Sequence, residues 1–303
     1  MKGLSAISEQ YSSCPICGST AILWRNKSTH NIERCSNCGY AFVNPRPSMA
    51  FLMEYYAARG HKLGSGSNAS TFQDICDREI EDPASTVDAA VMINTISSLL
   101  RPTTPRTLFD VGCGYGLFAA EAQRNGFAVS CIELAENERQ IAAQALGVSP
   151  MAVSFEDYPV TDAPGFYGAI LFSQILEHAR DVNLWISKAH QLLRPGGILA
   201  IALPNFGSLF RLVLQERDPF VTPPEHLNYF SASNLSILLR KHGFEVERAQ
   251  WYSHIHKRAI DRRLPQPLKG LAPMIHGSSQ MILSAIDYLK MGMMVRIYAR
   301  RQD

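Results

Sequence analysis

The chain has 303 residues, of which 46% are hydrophobic and 18% are charged, so it can bury a sizeable core around one main domain. Its 29 basic and 27 acidic side chains leave a formal net charge of +2, which argues against a nucleic-acid or membrane-surface partner. No window reaches about 18 uninterrupted apolar residues, the length that a membrane span needs. The first ten residues, MKGLSAISEQ, lack the apolar core of a signal peptide. These features predict a cytoplasmic protein with a small-molecule partner.

Four of the seven cysteines lie in two pairs near the N-terminus. Cys14, Cys17, Cys35 and Cys38 form a C-x2-C-x17-C-x2-C pattern, in which each pair precedes a glycine that closes a tight turn. Two such turns supply the four thiolates that zinc prefers in tetrahedral sites. The pattern predicts a zinc ribbon over residues 1–47, with two short strands joined by a turn at residues 26–30. The zinc is predicted to be structural, because four thiolates leave no open position for a catalytic water.

Residues 48–104 are predicted to form a linker and a helical cap. Two prolines lead from the ribbon into a short helix around MAFLMEYYAARG, and the following HKLGSGSNAS has the composition of a flexible linker. Apolar residues at helical spacing follow in STVDAAVMINTISSLLR. The ribbon is therefore expected to fold as a module separate from the domain that begins near residue 105.

From residue 106 the pattern alternates between strands and helices. The segments RTLFDV, FAVSCIE, YGAILF and GILAIAL have the continuous apolar character of buried parallel strands, and helical segments separate them. This order predicts a doubly wound α/β sheet, whose ligands bind at the carboxyl ends of the strands.

The first of these strand ends carries the loop DVGCGYG, with glycines at 112, 114 and 116. Glycines let the backbone approach a ligand closely, and the helix that follows offers free N–H groups to an anion. A nicotinamide-binding loop would have the spacing G-x-G-x-x-G, whereas here the third glycine comes one residue early. Glu133 ends the second strand, about 20 residues after the first glycine, where a carboxylate can accept hydrogen bonds from both hydroxyls of a ribose.

The D-x-G-x-G-x-G loop followed by Glu133 resembles the nucleoside-binding signature of class I S-adenosylmethionine-dependent methyltransferases. The resemblance continues through SFEDYP, LFSQILEH and LLRPGGILAIALPN and covers roughly residues 105–250, while GMMVRIYARR resembles the closing antiparallel strand of that family. It implies a seven-stranded Rossmann-like sheet over residues 105–303, with inserts at 204–230 and 255–290. It also implies an enzyme whose methyl donor is S-adenosylmethionine.

The resemblance assigns candidate cofactor contacts along the strand ends. The glycine loop would face the methionine part of the cofactor, with Asp110 near its ammonium group, and Glu133 would face the ribose. The family's adenine-side position and the floor of its methionine pocket correspond to two further pairs of residues. Ser154 and Phe155 correspond to the adenine side, and Ser173 and Gln174 to the pocket floor. The other candidate contacts are Asp110, Gly112, Cys113, Gly114, Gly116 and Glu133.

Methyl transfer to a hydroxyl needs a group that takes the proton from the acceptor, and histidine titrates near neutrality. Two of the nine histidines follow strand ends: His178 in ILEHARD and His226 in TPPEHLNYFS. His226 is the predicted base, and the alternative is that it caps a helix beginning near Ser231. For His178 the alternatives are catalysis, a place near the cofactor, or capping of the next helix.

A second resemblance concerns the whole arrangement. A four-cysteine ribbon, a P-x-P exit, a methyltransferase core and an E-H-x-x-Y-F-S loop together are similar to the sugar C-methyltransferases and related small-molecule methyltransferases. In that family the Glu-His pair lies at the acceptor site, which corresponds here to Glu225 and His226. The sugar enzymes have a further C-terminal domain, so methylation of a hydroxyl on a small, quinone or lipid-like acceptor is predicted beside methylation of an activated carbon.

An RNA methyltransferase is the alternative function. Its zinc ribbon would grip nucleic acid, and four basic residues could contact phosphates: Arg25, Lys27, Arg34 and Arg46. The near-neutral charge argues against it, and the sequence has no D/N-P-P-[YF] loop of the kind expected for exocyclic base N-methylation. A non-catalytic interaction module is disfavoured because the cofactor signature is complete.

Overall fold

The computed structural model describes residues 7–59, 71–81, 85–162, 164–255 and 272–303. The predicted flexible linker at 61–70 lies outside the described residues, as do residues 256–271 of the predicted second insert. Within the described ranges, no helix combines the length and the apolar character that a membrane crossing requires.

The N-terminal region forms five short strands: β1 (Ile7–Glu9), β2 (Ala21–Lys27), β3 (His30–Cys35), β4 (Ala41–Val43) and β5 (Arg46–Pro47). β2 and β3 form an antiparallel hairpin whose two turn residues, Ser28 and Thr29, have φ angles of 50° and 68°. Positive φ at both positions gives the turn the twist that a two-residue hairpin requires. The predicted ribbon strands and the turn between them are confirmed.

Helices and strands alternate through the rest of the chain. The first three helices are α1 (Met49–Arg59), α2 (Phe72–Glu81) and α3 (Ser85–Leu99). They are followed by β6 (Thr107–Val111), α4 (Leu117–Arg124), β7 (Ala128–Ile132), α5 (Glu136–Leu146), β8 (Tyr167–Ser173), α6 (Val182–Leu192), β9 (Leu193–Pro204), α7 (Leu209–Leu214), β10 (Asn228–Tyr229), α8 (Ala232–Lys241), β11 (Phe244–Tyr252), α9 (Ala272–Tyr288) and β12 (Met294–Arg301).

Six of these strands form the central sheet, in the order β11-β12-β9-β8-β6-β7. The four strands β7, β6, β8 and β9 are parallel, and β12 lies antiparallel between β9 and β11, as predicted for the closing strand. The seventh strand of the predicted sheet is reduced to one bridge, from Ile132 to Met151 at the β7 edge. The doubly wound α/β architecture is confirmed, and this edge is where the sheet has fewer paired residues than predicted.

Helices cover both faces of the sheet because successive strand residues point to opposite sides. On one face, Phe172 and Ile201 pack in the same cluster as residues of α6 and α8. On the other face, Leu171 and Ala200 pack in the same cluster as Met92 of α3 and residues of α4. Since strands buried on both faces leave only their ends open, the carboxyl edge is where a ligand can reach the sheet.

The ribbon is not packed as a separate module. Its strand β4 pairs with β10, which lies between β9 and α8, so the ribbon sheet has the order β10-β4-β3-β2. Tyr40 and Phe42 are fully buried in the same cluster as Phe230, and the rings of Tyr40 and Phe230 lie 5.0 Å apart. The expectation of an independent module is wrong, because so small a unit gains apolar burial only by packing its aromatic side chains on the main domain.

Candidate functional site

The glycine loop after β6 leaves an open cradle at the carboxyl edge of the sheet. Gly112, Gly114 and Gly116 have φ angles of 69°, 53° and 81°, which favour glycine. A Cβ at Gly112 would lie 2.9 Å from Ile175 Cδ1, so a side chain there would collide with the loop after β8. A Cβ at Gly114 would have no atom within 4 Å, so this backbone faces free space. Gly116 then caps the N-terminus of α4.

Glu133 lies beside this loop, as the strand assignment predicts. It follows β7, and its Oε2 accepts a hydrogen bond from the Gly114 backbone N–H at 3.0 Å. Its Oε1 accepts from the Ala135 N–H at 2.9 Å, at the start of α5. The carboxylate therefore lies at the cradle, and both of its oxygens point toward backbone donors there.

Asp110 is buried beneath the same loop. The side chain is 2% exposed, and its Oδ2 has no hydrogen-bond partner among the described residues. Burial and the nearby charge of Glu133 raise the pKa of Asp110 to about 7. A buried carboxylate oxygen without a donor is expensive, so this one fits a cationic ligand group such as the ammonium of S-adenosylmethionine. The open cradle at Gly114 fits the same molecule.

The other predicted cofactor residues occupy more varied surroundings. Cys113 is 8% exposed, and its N–H donates to the Ile132 carbonyl. Ser154 closes a turn in which its hydroxyl donates to Asp157 at 2.6 Å. The Phe155 ring is buried against Phe172 and Trp185. Ser173 is half-buried at the end of β8, and Gln174 is exposed with a φ of 55°. Their contacts with a cofactor stay predictions.

The two predicted histidines meet at the next strand end. His178 lies in a short 3₁₀ turn after β8, His226 lies in the loop after β9, and their ring centroids are 4.9 Å apart. Neither residue caps a helix: Ser231 caps α8 and Asp181 caps α6. The capping alternatives for both histidines are therefore wrong, and the strand ends bring the two rings together.

Both rings have the same tautomer. His178 Nδ1 is 2.8 Å from the Glu225 carbonyl oxygen, and His226 Nδ1 is 2.7 Å from the Phe220 carbonyl oxygen. A carbonyl only accepts, so each Nδ1 carries the proton and each Nε2 has a free lone pair when the ring is neutral. Burial lowers the pKa of His178 to about 3, and burial also lowers the pKa of His226. Both imidazoles are thus neutral at pH 7.

Glu225 contributes to this arrangement through its backbone. It lies in a turn in which the His226 N–H donates to the Thr222 carbonyl at 3.0 Å. The Glu225 carbonyl oxygen accepts a hydrogen bond from the His178 Nδ1–H. The Glu225 side chain is half-buried, and its charge acts on Glu177.

Glu177 is the residue that sequence reasoning missed. It is 2% exposed, and neither carboxylate oxygen has a hydrogen-bond partner in the described part of the chain. Burial, with a smaller contribution from Glu225, raises the pKa of Glu177 to about 8. An oxygen of Glu177 and a ring nitrogen of each histidine all lie within 4.8 Å of one another. The signal was present in the sequence, since an acid directly precedes His178 in ILEHARD.

A small cavity opens beside this cluster. Its volume is about 20 Å³, and Glu177, His226, Arg211 and Asp218 are among the residues that line it. A cavity needs roughly 10–15 Å³ to hold one water molecule, so this space accepts a water or an ion and is too small for a sugar or a quinone ring.

The ribbon supports both loops of the cluster through one buried network. Asn228 Nδ2 donates to the Ala179 carbonyl at 2.7 Å, in the loop after β8. Its Oδ1 accepts from Arg46 Nη2 at 2.6 Å and from the Tyr40 hydroxyl at 2.5 Å. Arg46 is fully buried, and its Nη1 donates to the Leu227 carbonyl at 2.7 Å. The ribbon therefore holds the histidine loops in place.

The four ribbon cysteines come together as their spacing predicts. Cys14 Sγ is 3.6 Å from Cys38 Sγ, and Cys17 Sγ is 3.5 Å from Cys35 Sγ. All four sulfurs lie within 4.8 Å of one another, and none forms a disulfide. Zinc–sulfur bonds of about 2.3 Å in a tetrahedron require sulfur–sulfur distances of about 3.8 Å, so this set fits a zinc ion.

Comparisons with known proteins agree with this geometry. Residues 90–249, a span of 160 of the 303 residues, match the family model described as "Methyltransferase domain". The ubiquinone biosynthesis O-methyltransferase of Caulobacter vibrioides is 32% identical over 104 residues, which cover 33% of this chain and 41% of the relative. The enzyme of the same name from Mesorhizobium japonicum is 30% identical over 110 residues, covering 35% and 43%. The matches thus span about two fifths of these curated relatives.

Two solved structures share the fold at low sequence identity. A SAM-dependent methyltransferase from Archaeoglobus fulgidus is 16% identical with a TM-score of 0.51, covering 75% of this chain and 99% of that one. The complex between the Haloferax volcanii Trm112 methyltransferase activator and a putative methyltransferase contains a chain that is 14% identical with a TM-score of 0.53. That match covers 80% of this chain and 97% of the other.

Proposed function

We propose that this chain, which belongs to the methyltransferase domain family, is an S-adenosylmethionine-dependent enzyme that methylates a hydroxyl group of a small-molecule acceptor. The observation that carries the proposal is the free Nε2 lone pair of His226, held at the strand end next to the glycine cradle by the Nδ1 bond to Phe220. A neutral, half-buried imidazole with one free nitrogen is suited to accept a proton. The curated relatives are named as O-methyltransferases, which supports an oxygen acceptor.

The cofactor residues have separate proposed roles. The cradle leaves space for the ligand directly beside the Gly114 backbone. Glu133 would exchange its hydrogen bond from the Gly114 N–H for hydrogen bonds from the ribose hydroxyls. Asp110 Oδ2, which has no partner within the described chain, accepts from the ammonium group. The roles of Gly114 and Asp110 use a space and an acceptor that the described residues leave open, whereas Glu133 would exchange an existing backbone hydrogen bond.

The reaction balances without a further reagent. When bound, S-adenosylmethionine would supply an electrophilic methyl group and a neutral thioether leaving group, so transfer to a hydroxyl would leave only the hydroxyl proton to be removed. His226 Nε2 takes the hydroxyl proton and becomes an imidazolium, which its Nδ1 bond to the Phe220 carbonyl stabilises. Partial burial lowers the pKa of His226, which keeps the ring neutral before the reaction.

His178 and Glu225 are proposed to position His226. The Glu225 carbonyl fixes the orientation of His178, whose ring meets the His226 ring edge to face. The ribbon is proposed to bind one structural zinc through Cys14, Cys17, Cys35 and Cys38, so that its strand β4 can pair with β10 in the His226 loop. The zinc ion thereby acts on the site only through the fold. The alternative of RNA methylation gains no support from the comparisons.

The test combines binding and turnover. Calorimetry should detect S-adenosylmethionine binding by the wild type, and a screen of phenols, catechols and sugars with methyl-labelled cofactor should yield an O-methylated product. His226→Ala should lower turnover by roughly 10²- to 10⁴-fold while leaving cofactor affinity nearly unchanged, since a positioned base contributes about that much. His242→Ala is the matched control. His242 lies at the C-terminal end of α8, where its Nε2 is hydrogen-bonded to Asn183 of α6, and it has no proposed role in the reaction. Full turnover by His226→Ala would refute its role as base, and a C-methylated product would refute the hydroxyl acceptor.

A further inference from the structure

The cluster of Glu177, His178 and His226 has the composition of a metal site. Its three potential ligand atoms, one carboxylate oxygen and two imidazole nitrogens, all lie within 4.8 Å of one another. Ligand bonds of about 2.0–2.2 Å place neighbouring ligands roughly 3–3.5 Å apart, so small side-chain rotations suffice to close the set around one ion. Two histidines with one carboxylate recur at catalytic zinc and non-haem iron sites.

The histidine tautomers are those that a metal requires. A metal-ligating imidazole normally donates its other N–H to a carbonyl or carboxylate, which fixes the ring and leaves the ligating nitrogen bare. His178 and His226 both donate Nδ1–H to backbone carbonyls, of Glu225 and Phe220. The supporting contacts of a metal site are therefore already built for both rings.

Glu177 supplies an independent observation. Its carboxyl group is 2% exposed, and neither oxygen has a hydrogen-bond donor among the described residues. A buried polar group in that state costs free energy that a native protein normally recovers through a partner. The adjacent cavity of about 20 Å³ has room for one ion or one water, and the charges of Arg211 and Asp218, which line it, offset one another.

We propose that Glu177, His178 and His226 bind a divalent transition-metal ion, with open coordination positions facing the acceptor. This site is distinct from the four-cysteine ribbon site, because its ligands are nitrogen and oxygen rather than thiolates. Binding at this site does not depend on the identity of the acceptor. Its consequence for catalysis does rest on the proposed function: His226 is the base in the metal-free protein, whereas with the ion bound His226 would be a ligand and the cation would lower the pKa of a bound hydroxyl.

Cobalt binding to the full-length, zinc-loaded protein tests the proposal. Because thiolates keep zinc in the ribbon, added Co²⁺ should occupy the nitrogen and oxygen site and give visible d–d bands without thiolate charge-transfer bands. Proton spectra of the Co²⁺ protein should show two strongly shifted, solvent-exchangeable imidazole signals, from the two Nδ1–H groups. Metal analysis after zinc titration should give two ions per chain.

Variants should assign the ion to these residues. Glu177→Gln and His226→Ala should each weaken Co²⁺ binding at least about tenfold, since even residues that only support a ligand are worth 10–100-fold in affinity. His242→Ala should leave Co²⁺ binding unchanged. Unaltered zinc in the ribbon and unaltered S-adenosylmethionine binding check that each variant is folded.

The outcomes separate this inference from the proposed function. The metal site is overturned if the wild type binds neither Co²⁺ nor a second Zn²⁺. It is also overturned if Co²⁺ binds without shifted imidazole signals. Both results come from the wild type and do not require any variant to fold. Undiminished Co²⁺ binding by folded Glu177→Gln and His226→Ala overturns it as well. Methyl transfer that persists under those results leaves the proposed function standing, whereas absence of S-adenosylmethionine binding refutes the function and leaves the metal measurement intact.

Discussion

Replacement of Asn228 by alanine should destabilise the whole protein, because this side chain connects the ribbon to the loop after β8. Asn228 is 1% exposed, accepts from Arg46 and the Tyr40 hydroxyl, and donates to the Ala179 carbonyl. Asn228→Ala leaves the buried Arg46 guanidinium with one acceptor fewer and the Tyr40 hydroxyl without its acceptor. It also removes a donor from the Ala179 carbonyl. At about 1–3 kcal/mol for a stranded group, with the charged donor at the upper end, the loss of unfolding free energy should be about 3–5 kcal/mol.

Urea denaturation at a fixed zinc concentration measures this loss, since bound metal shifts apparent stability. Asn228→Asp keeps the acceptor oxygen for Arg46 and Tyr40 and removes only the Nδ2 donor. This donor bonds the Ala179 carbonyl and, at 3.2 Å, the Leu176 and Glu177 carbonyls, so the variant should lose about 1–2 kcal/mol. Asn31→Ala, at an exposed position of the ribbon hairpin, should change stability by about 0.5 kcal/mol or less. If Asn228→Ala loses no more than Asn31→Ala, the network does not hold the ribbon on the main domain.

Three further predictions concern the ligand sites. Glu133→Ala should weaken S-adenosylmethionine binding by about 1.5–3 kcal/mol in calorimetry, because hydrogen bonds to a charged group contribute about that much. Glu136→Ala, at an exposed position, should leave the affinity unchanged. Equal affinities of Glu133→Ala and the wild type would contradict the ribose contact. Because the pKa of Asp110 is raised to about 7 and its ionised form is the one that binds an ammonium group, cofactor affinity should rise with pH through about 7, and Asp110→Asn should be weaker with this pH dependence removed. Purified protein should contain zinc in the ribbon, and Cys35→Ser should lose that ion and also lower the cooperative unfolding midpoint; a zinc content equal to that of the wild type would disprove the cysteine site.

The glycine loop and the cysteine site were predictable because their geometry is encoded locally. The glycines at 112, 114 and 116 are needed where φ is positive, and a strand followed by a glycine loop and an acid at the next strand end specifies which edge of the sheet is used. The C-x2-C turns likewise fix two thiolates each within four residues. No knowledge of the rest of the fold is needed for either inference.

The contacts between distant segments could not be predicted in the same way. The pairing of β4 with β10 joins Ala41 to Tyr229, and no periodicity or motif relates two such short strands. Glu177 escaped notice for the same reason, since a glutamate beside a histidine is ordinary in sequence, and only its burial together with His226 from another loop makes it unusual. The predicted seventh strand is reduced to a single bridge at Met151. The reason is energetic, because a short edge strand gains few hydrogen bonds and buries little apolar surface.

The two histidine loops are joined so closely that they should respond to any perturbation as one unit. Hydrogen bonds from three donors cross between them: His178 Nδ1 to the Glu225 carbonyl, the Leu227 N–H to the Glu177 carbonyl, and Asn228 Nδ2 to the Ala179 carbonyl, with longer bonds of 3.2 Å to the Leu176 and Glu177 carbonyls. A residue in one loop therefore cannot move without straining its partner in the other, and the third of these bonds depends on a side chain that the ribbon holds. Because a shift of about 1 Å in a reacting group can cost about 10²-fold in rate, the ribbon influences methyl transfer through the position of His226, without supplying an atom to the reaction.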